Sequence, residues 1–157
     1  MKRLMLAAAL LALLGGAVQA AEYRPVTATA KDRCPVCGMF VAKYPDFLAQ
    51  VIYTDGAYAL FDGAKDMFKY LFNPRTYAPS RKSSDIGAIY VTDYYSLLPI
   101  DGKAAWYVLD SDVLGPMGRE LIPFRSEPEA KGFMADHKGK RLLRFAEVTA
   151  DVLKGLD

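Results

Sequence analysis

The chain is short of the residues from which most catalytic machinery is built. Its 157 residues include one histidine, one tryptophan and two cysteines. With His137 as the sole imidazole and no nucleophile elbow in the sequence, a serine–histidine–acid arrangement has no support. No glycine-rich phosphate loop is present outside the N-terminal apolar run that holds Gly15 and Gly16. No basic stripe runs along any segment, so nucleic acid is not an expected partner. The two cysteines, Cys34 and Cys37, are too close in sequence to close a long loop. Their placement points to chemistry rather than to a disulfide framework.

The N-terminus has the pattern of a secretory signal. Lys2 and Arg3 precede an apolar run over residues 4–14, and Val18-Gln19-Ala20 places small residues before Ala21. The run is short for a bilayer crossing, and no later apolar run reaches membrane length. The reading is therefore a signal peptide over residues 1–20 and a periplasmic protein, soluble and without stable membrane insertion after cleavage near Ala20. Charge follows the same division. The whole chain has 20 Lys and Arg; without Lys2 and Arg3 the remainder has 18, against 18 Asp and Glu. About 137 residues remain, enough for one core shared by two small units.

Residues 21–33 form a polar lead-in, and the cysteine motif follows. Residues 48–53 read as a strand, turned at Thr54-Asp55-Gly56 into a second over 58–61. Asp62 reads as the cap of a helix whose apolar positions are Ala64, Met67, Phe68, Leu71 and Phe72, ended by Asn73-Pro74. Residues 86–92 are strand-like. A similar order then returns: a strand over 105–109, a Gly/Pro-containing connection over 110–118, and a strand over 120–124. A helix capped by Ser126, a strand over 141–148 and a short helix over 149–156 complete it. The expectation is an α+β fold of two strand-strand-helix-strand units, about 34–95 and 103–157, which share a core because neither can bury enough surface alone.

The chemistry concentrates in Cys34-Pro35-Val36-Cys37-Gly38-Met39. The spacing puts two sulfurs within reach of one ion. Gly38 lets the backbone fold behind Cys37, and Met39 adds a thioether, a ligand suited to copper(I) and poor for hard ions. Other readings compete. A structural zinc site normally needs two cysteine pairs; with one pair it would require carboxylates or a partner chain. A thiol-disulfide oxidoreductase would place the pair at a helix start, and no helix opening follows here. A plain local disulfide is the third. Further candidate ligands are Met117, in the turn-forming Gly115-Pro116-Met117-Gly118, and His137, at a helix C-terminus that favours an imidazolium without any other role. Met67 and Met134 fall at helical spacing and read as core.

Taken together, the cysteine motif, Leu60-Phe61-Asp62-Gly63, Val91-Thr92-Asp93-Tyr94 and Gly115-Pro116-Met117-Gly118 before Leu121-Ile122-Pro123-Phe124 resemble the NosL family, the copper accessory proteins of nitrous oxide reductase. The resemblance spans nearly the whole chain after the signal. It implies a periplasmic copper(I) chaperone rather than an enzyme, handing copper to an apo-cuproenzyme or to a membrane copper-assembly complex. It implies a fold like that of organomercurial lyase, which adds a lyase as a rival reading. It also implies ligands at Cys37 and Met39, with a histidine or methionine from elsewhere completing the site; in this chain Cys34, Met117 and His137 are the candidates to close it. Family members are often lipoproteins, and no lipid-anchoring cysteine lies at the cleavage point here.

Overall fold

The computed structural model describes residues 23–156; the signal reading of residues 1–20 lies outside them. The backbone runs β1 (Ala49–Tyr53), β2 (Tyr58–Phe61), α1 (Ala64–Phe72), α2 (Pro74–Tyr77), β3 (Ile86–Thr92), β4 (Pro99–Asp101), β5 (Trp106–Leu109), β6 (Leu114–Gly115), β7 (Gly118–Arg119), β8 (Ile122–Phe124), α3 (Glu127–Asp136), β9 (Arg141–Arg144) and α4 (Ala150–Lys154). Two sheets carry the architecture, in the strand orders β2-β1-β3-β4 and β8-β5-β9.

The order strand-strand-helix-strand occurs twice, with the same pairing each time. The first strand of each unit is central. The second flanks it on one side, and the strand after the helix flanks it on the other, all antiparallel. In the first unit the β1–β2 turn closes with Tyr53 N–H donating to the Ala57 carbonyl at 2.8 Å. Gly56 takes φ +85°, a left-handed conformation that a side chain resists. In the second unit the Ser126 hydroxyl accepts from the Glu129 backbone and caps α3, as the sequence indicates.

Strand alternation distributes the second unit's side chains between two cores. Tyr107 and Leu109 of β5 face the cluster that also holds Val51, Phe61, Met67 and Phe68 of the first unit. Val108, between them, faces Ile122, Phe124, Ala130 and Phe133 beneath α3. Leu153 and Leu156 at the C-terminal end close the shared core. Met67 is fully buried there, and Met134 packs on the smaller cluster.

Several local expectations change. Pro99–Asp101, a segment given no element in the sequence, forms β4 at the edge of the first sheet. The 110–118 connection contains the small hairpin β6–β7, with Pro116 and Met117 at its tip. The strand expected from Glu120 starts at Ile122, because the Glu120 side chain turns inward to another task. The strand expected to reach Val148 ends at Arg144, where the Glu147 carboxylate accepts from the Arg144 backbone at 2.6 Å and starts a 3-10 turn, Phe145–Glu147. Among the described residues no helix is long and apolar enough to cross a membrane.

Candidate metal centre

The cysteine motif folds as a tight knuckle. Cys34 N–H donates to the Met39 carbonyl, and Gly38 N–H donates to the Cys34 carbonyl, both at 2.9 Å. Gly38 has φ +80°, so its lack of a β-carbon is what allows the return. An antiparallel bridge between Arg33 and Phe40 closes the base. The Arg33 guanidinium lies 3.7 Å over the Phe40 ring and donates to the Gly38 carbonyl at 3.0 Å. Both flanks of the loop are therefore held, and both thiols are free rather than bridged.

Two carboxylates face the thiols. The Cys34 thiol donates to Asp66 Oδ2 at 3.3 Å, and the Cys37 thiol donates to Asp62 Oδ1 at 3.2 Å. One ligand atom from each of the four residues lies within 4.8 Å of all the others. Cys34, Asp62 and Asp66 are buried, and Cys37 is half-buried. Asp62 Oδ2 is buried without a hydrogen-bond partner. Burial pushes the Cys37 thiol up to about 11, with the Asp62 and Asp66 carboxylates adding to the rise. Cys34 is raised further, again by burial first, with the negative charge of Asp66 contributing.

Asp62 is thus not the helix cap that its position suggests. Gly63 takes the N-cap position of α1, and no side chain of its own segment caps that helix. Asp62 immediately follows β2 and Asp66 lies in the first turn of α1, where the positive end of the helix dipole favours anions. Their i, i+4 spacing across the helix start was the one available signal, and the cap reading of Asp62 obscured it.

The cap comes from the second unit. Glu120 Oε1 accepts from the Lys65 backbone N–H at 2.6 Å and from Leu121 N–H at 2.8 Å. A β-carbon at Gly63 would overlap the Glu120 carboxylate, so any side chain there must push Glu120 away from the helix start. Burial pushes Glu120 up to about 8. The Lys65 ammonium donates to the Met117 carbonyl at 3.0 Å and to the Leu156 carbonyl at 3.3 Å. The Met117 turn is thereby fastened to the residue next to Asp66.

The expected ligands separate accordingly. Cys34 and Cys37 come together. Met39 is half-buried on the same knuckle. Met117 has 45% of its surface exposed at the hairpin tip, tethered to α1 through its carbonyl. His137 does not join the four-residue group. Its Nδ1 lies 3.2 Å from Asp112 Oδ1, and its ring stacks on Phe133 with centroids 4.5 Å apart. That position at the C-cap of α3 has a structural explanation of its own.

The model of the NosL family matches residues 25–153. The copper-binding lipoprotein NosL of Stutzerimonas stutzeri is 29% identical over 141 residues, which cover 85% of this chain and 70% of that protein. The crystal structure of the copper chaperone NosL from Shewanella denitrificans superposes with a TM-score of 0.70 at 23% identity, over 83% of this chain and 98% of that one. That likeness carries the mixed helix-and-sheet fold.

Proposed function

This chain belongs to the NosL family, and on that footing we propose that it is an extracytoplasmic copper(I)-binding protein that carries the ion to a cuproenzyme. Nitrous oxide reductase or the membrane complex that assembles it is the proposed client. The observation that supports this reading is the knuckle itself: two unbridged thiols on one short loop, with a thioether two residues on. Cys37, Met39 and Met117 are the proposed sulfur ligands reached from outside, and Cys34 is the buried member. His137 is left outside this proposed set, because Asp112 and Phe133 account for its position.

The proposed cycle needs no oxidation or reduction. Copper(I) replaces the thiol protons, which pass to solvent, and binds as a soft ion to thiolate and thioether. With Cys37 only half-buried, one side of the ion stays open to solvent. A client ligand attacks there and takes the ion by exchange. The oxidoreductase reading has the wrong electrostatics. A redox-active pair needs at least one thiol lowered toward neutrality, and here burial and two carboxylates raise both. The lyase reading has no third cysteine distant from the pair.

The test is an anaerobic competition titration of the reduced protein with copper(I) against a chromophoric chelator. One ion per chain is expected. Cys37→Ser should lower affinity by at least about a hundredfold, since it removes the only accessible thiolate. Undiminished affinity in that variant would sink the assignment.

A further inference from the structure

The segment Val91-Thr92-Asp93-Tyr94 has no part in the metal centre. It ends β3 and opens a loop that holds three large apolar side chains in solvent. Tyr95, Leu97 and Leu98 are 50%, 53% and 56% exposed. We propose that this loop and the apolar groove beside it form the interface of a two-fold pair between copies of this chain. The inference does not depend on the copper reading.

The loop is fastened with its leucines outward. Asp93 is buried, and its polar groups all hold the turn. Its Oδ2 accepts from the Ser96 backbone N–H at 2.9 Å and from the Ser96 hydroxyl at 2.6 Å, and its Oδ1 accepts from the Arg125 N–H at 2.8 Å. Its carbonyl accepts from Leu97 N–H, and its own N–H donates to the Leu98 carbonyl, both at 2.9 Å. These bonds keep Leu97 at φ +56°, a left-handed conformation that a leucine resists. Strain maintained by a fully satisfied buried carboxylate points to a task for the strained residue. The three side chains present a patch on the order of 300 Å², a size at which exposed apolar surface is often a contact site.

The groove supplies the other half. It measures about 410 Å³ and is lined by Val26, Ala42, Pro45, Leu48 and Pro99, with Leu97 on its wall. Two of its polar side chains are already engaged. Gln50 Oε1 accepts from Val26 N–H, and the Thr92 hydroxyl donates to the Leu48 carbonyl, both at 2.8 Å. An apolar side chain is the occupant that such a groove fits.

A knob and a groove that share Leu97 on one face are self-complementary. A two-fold axis seats each copy's knob in the other's groove in one operation and closes the assembly. Charge permits the approach. Beyond Lys2 and Arg3 the chain has 18 Lys and Arg against 18 Asp and Glu, so two copies do not repel through net charge. A bilayer is the poorer occupant. The Asp136 and Glu129 charges act on the Tyr95 phenol and oppose approach to anionic lipid, and a lipid surface would leave the groove unfilled. None of the groove's lining residues belongs to the cysteine knuckle or to α1, so pairing through this face does not use the metal centre.

Sedimentation equilibrium of the reduced, metal-free protein is the test; reductant excludes cross-linking through Cys37. A knob and groove of this size make an interface at the low end of the specific range, so a dissociation constant on the order of 100 µM is expected, with monomer and dimer the only species up to about 1 mM. Leu97→Asn removes the apolar side chain where asparagine tolerates the backbone, and Leu98→Ser removes its neighbour. A two-fold interface contains each substitution twice, so each should weaken the pair by about a hundredfold, while the urea midpoint of Leu97→Asn does not fall. A protein that is still monomeric at about 1 mM, variants that pair as tightly as the wild type, or growth into open chains overturns the proposal. Co-sedimentation with phosphatidylcholine–phosphatidylglycerol vesicles in the absence of self-association also overturns it and assigns the loop to lipid. If one variant loses its native circular dichroism, the other variant and the wild-type concentration dependence decide.

Discussion

Glu120→Gln should change how stability depends on pH more than how stable the protein is at its best. The wild-type carboxyl is 4% exposed and accepts two backbone N–H groups through one oxygen. Burial dominates its titration; Leu121 N–H, Lys65 N–H and the Lys65 charge oppose the rise, and the Asp66 charge adds to it. The group titrates near about 8 in the fold, against 4.5 as an ordinary glutamate. A raised carboxyl means the folded state binds the proton more tightly than the unfolded chain. Its contribution is therefore complete below the unfolded value and is lost as pH rises through the folded one. Each pH unit in that window is worth about 1.4 kcal/mol, so the interval of roughly 3.5 units sets a ceiling of about 5 kcal/mol. Glutamine keeps a carbonyl oxygen for both donors and cannot ionise. Urea midpoints under reducing conditions at pH 5, 6, 7 and 8 should fall progressively for the wild type and stay nearly level for Glu120→Gln. The variant should be the more stable of the two at pH 8. Cys37 does not interfere, because it titrates near about 11. Parallel curves for the two proteins would refute the reasoning and show that Lys65 keeps Glu120 ionised throughout.

Three further outcomes follow from the same geometry. Gly63→Ala forces a methyl group onto the Glu120 carboxylate and should cost about 1–3 kcal/mol in urea unfolding, the usual penalty of overpacking. His137→Ala removes the stack on Phe133 and the half-exposed contact with Asp112; it should cost about 1 kcal/mol and leave copper(I) affinity unchanged, whereas a loss of affinity would return His137 to the ligand set. Copper(I) affinity should rise with pH by about tenfold per unit for each thiol proton displaced, up to the titration of Cys37 near about 11; competition titrations at pH 6, 7 and 8 read that slope, and a flat profile would mean that no thiol is deprotonated on binding.

The repeat of strand-strand-helix-strand was legible because its elements carry strong local signals. The apolar runs of β1 and β5, the Asp55-Gly56 turn, helical spacing in α1 and the Ser126 cap each act over a few residues. The sulfur half of the site was legible for the same reason, since Cys34, Cys37 and Met39 are neighbours in the chain. The carboxylate half was not. Asp62 precedes a helix, which is where a capping aspartate belongs, and only the three-dimensional approach of the knuckle to the start of α1 gives it a different partner. Glu120 was read as a strand residue because it borders an apolar run. Its actual role depends on Gly63, 57 positions earlier in the chain, and on the space that a missing side chain leaves there.

The division of labour between the two units explains why a binding loop so short needs a fold so large. All four members of the buried cluster come from the first unit: the knuckle, the end of β2 and the first turn of α1. Left to itself, that arrangement would be held weakly. The helix start has no cap of its own, and carboxylates and thiols gathered in a buried space repel one another once ionised. The second unit supplies what is missing. Glu120 satisfies the Lys65 N–H at the helix start, the Met117 and Leu156 carbonyls anchor the Lys65 ammonium, and Leu121 and Leu156 pack into the common core. The same β6–β7 hairpin that fastens the helix carries Met117 outward. Anything that pulls on that hairpin from outside therefore acts, through the Lys65 ammonium, on the first turn of α1 that carries Asp66. Displacing the Met117 carbonyl from Lys65 would loosen the helix start on which Asp66 sits.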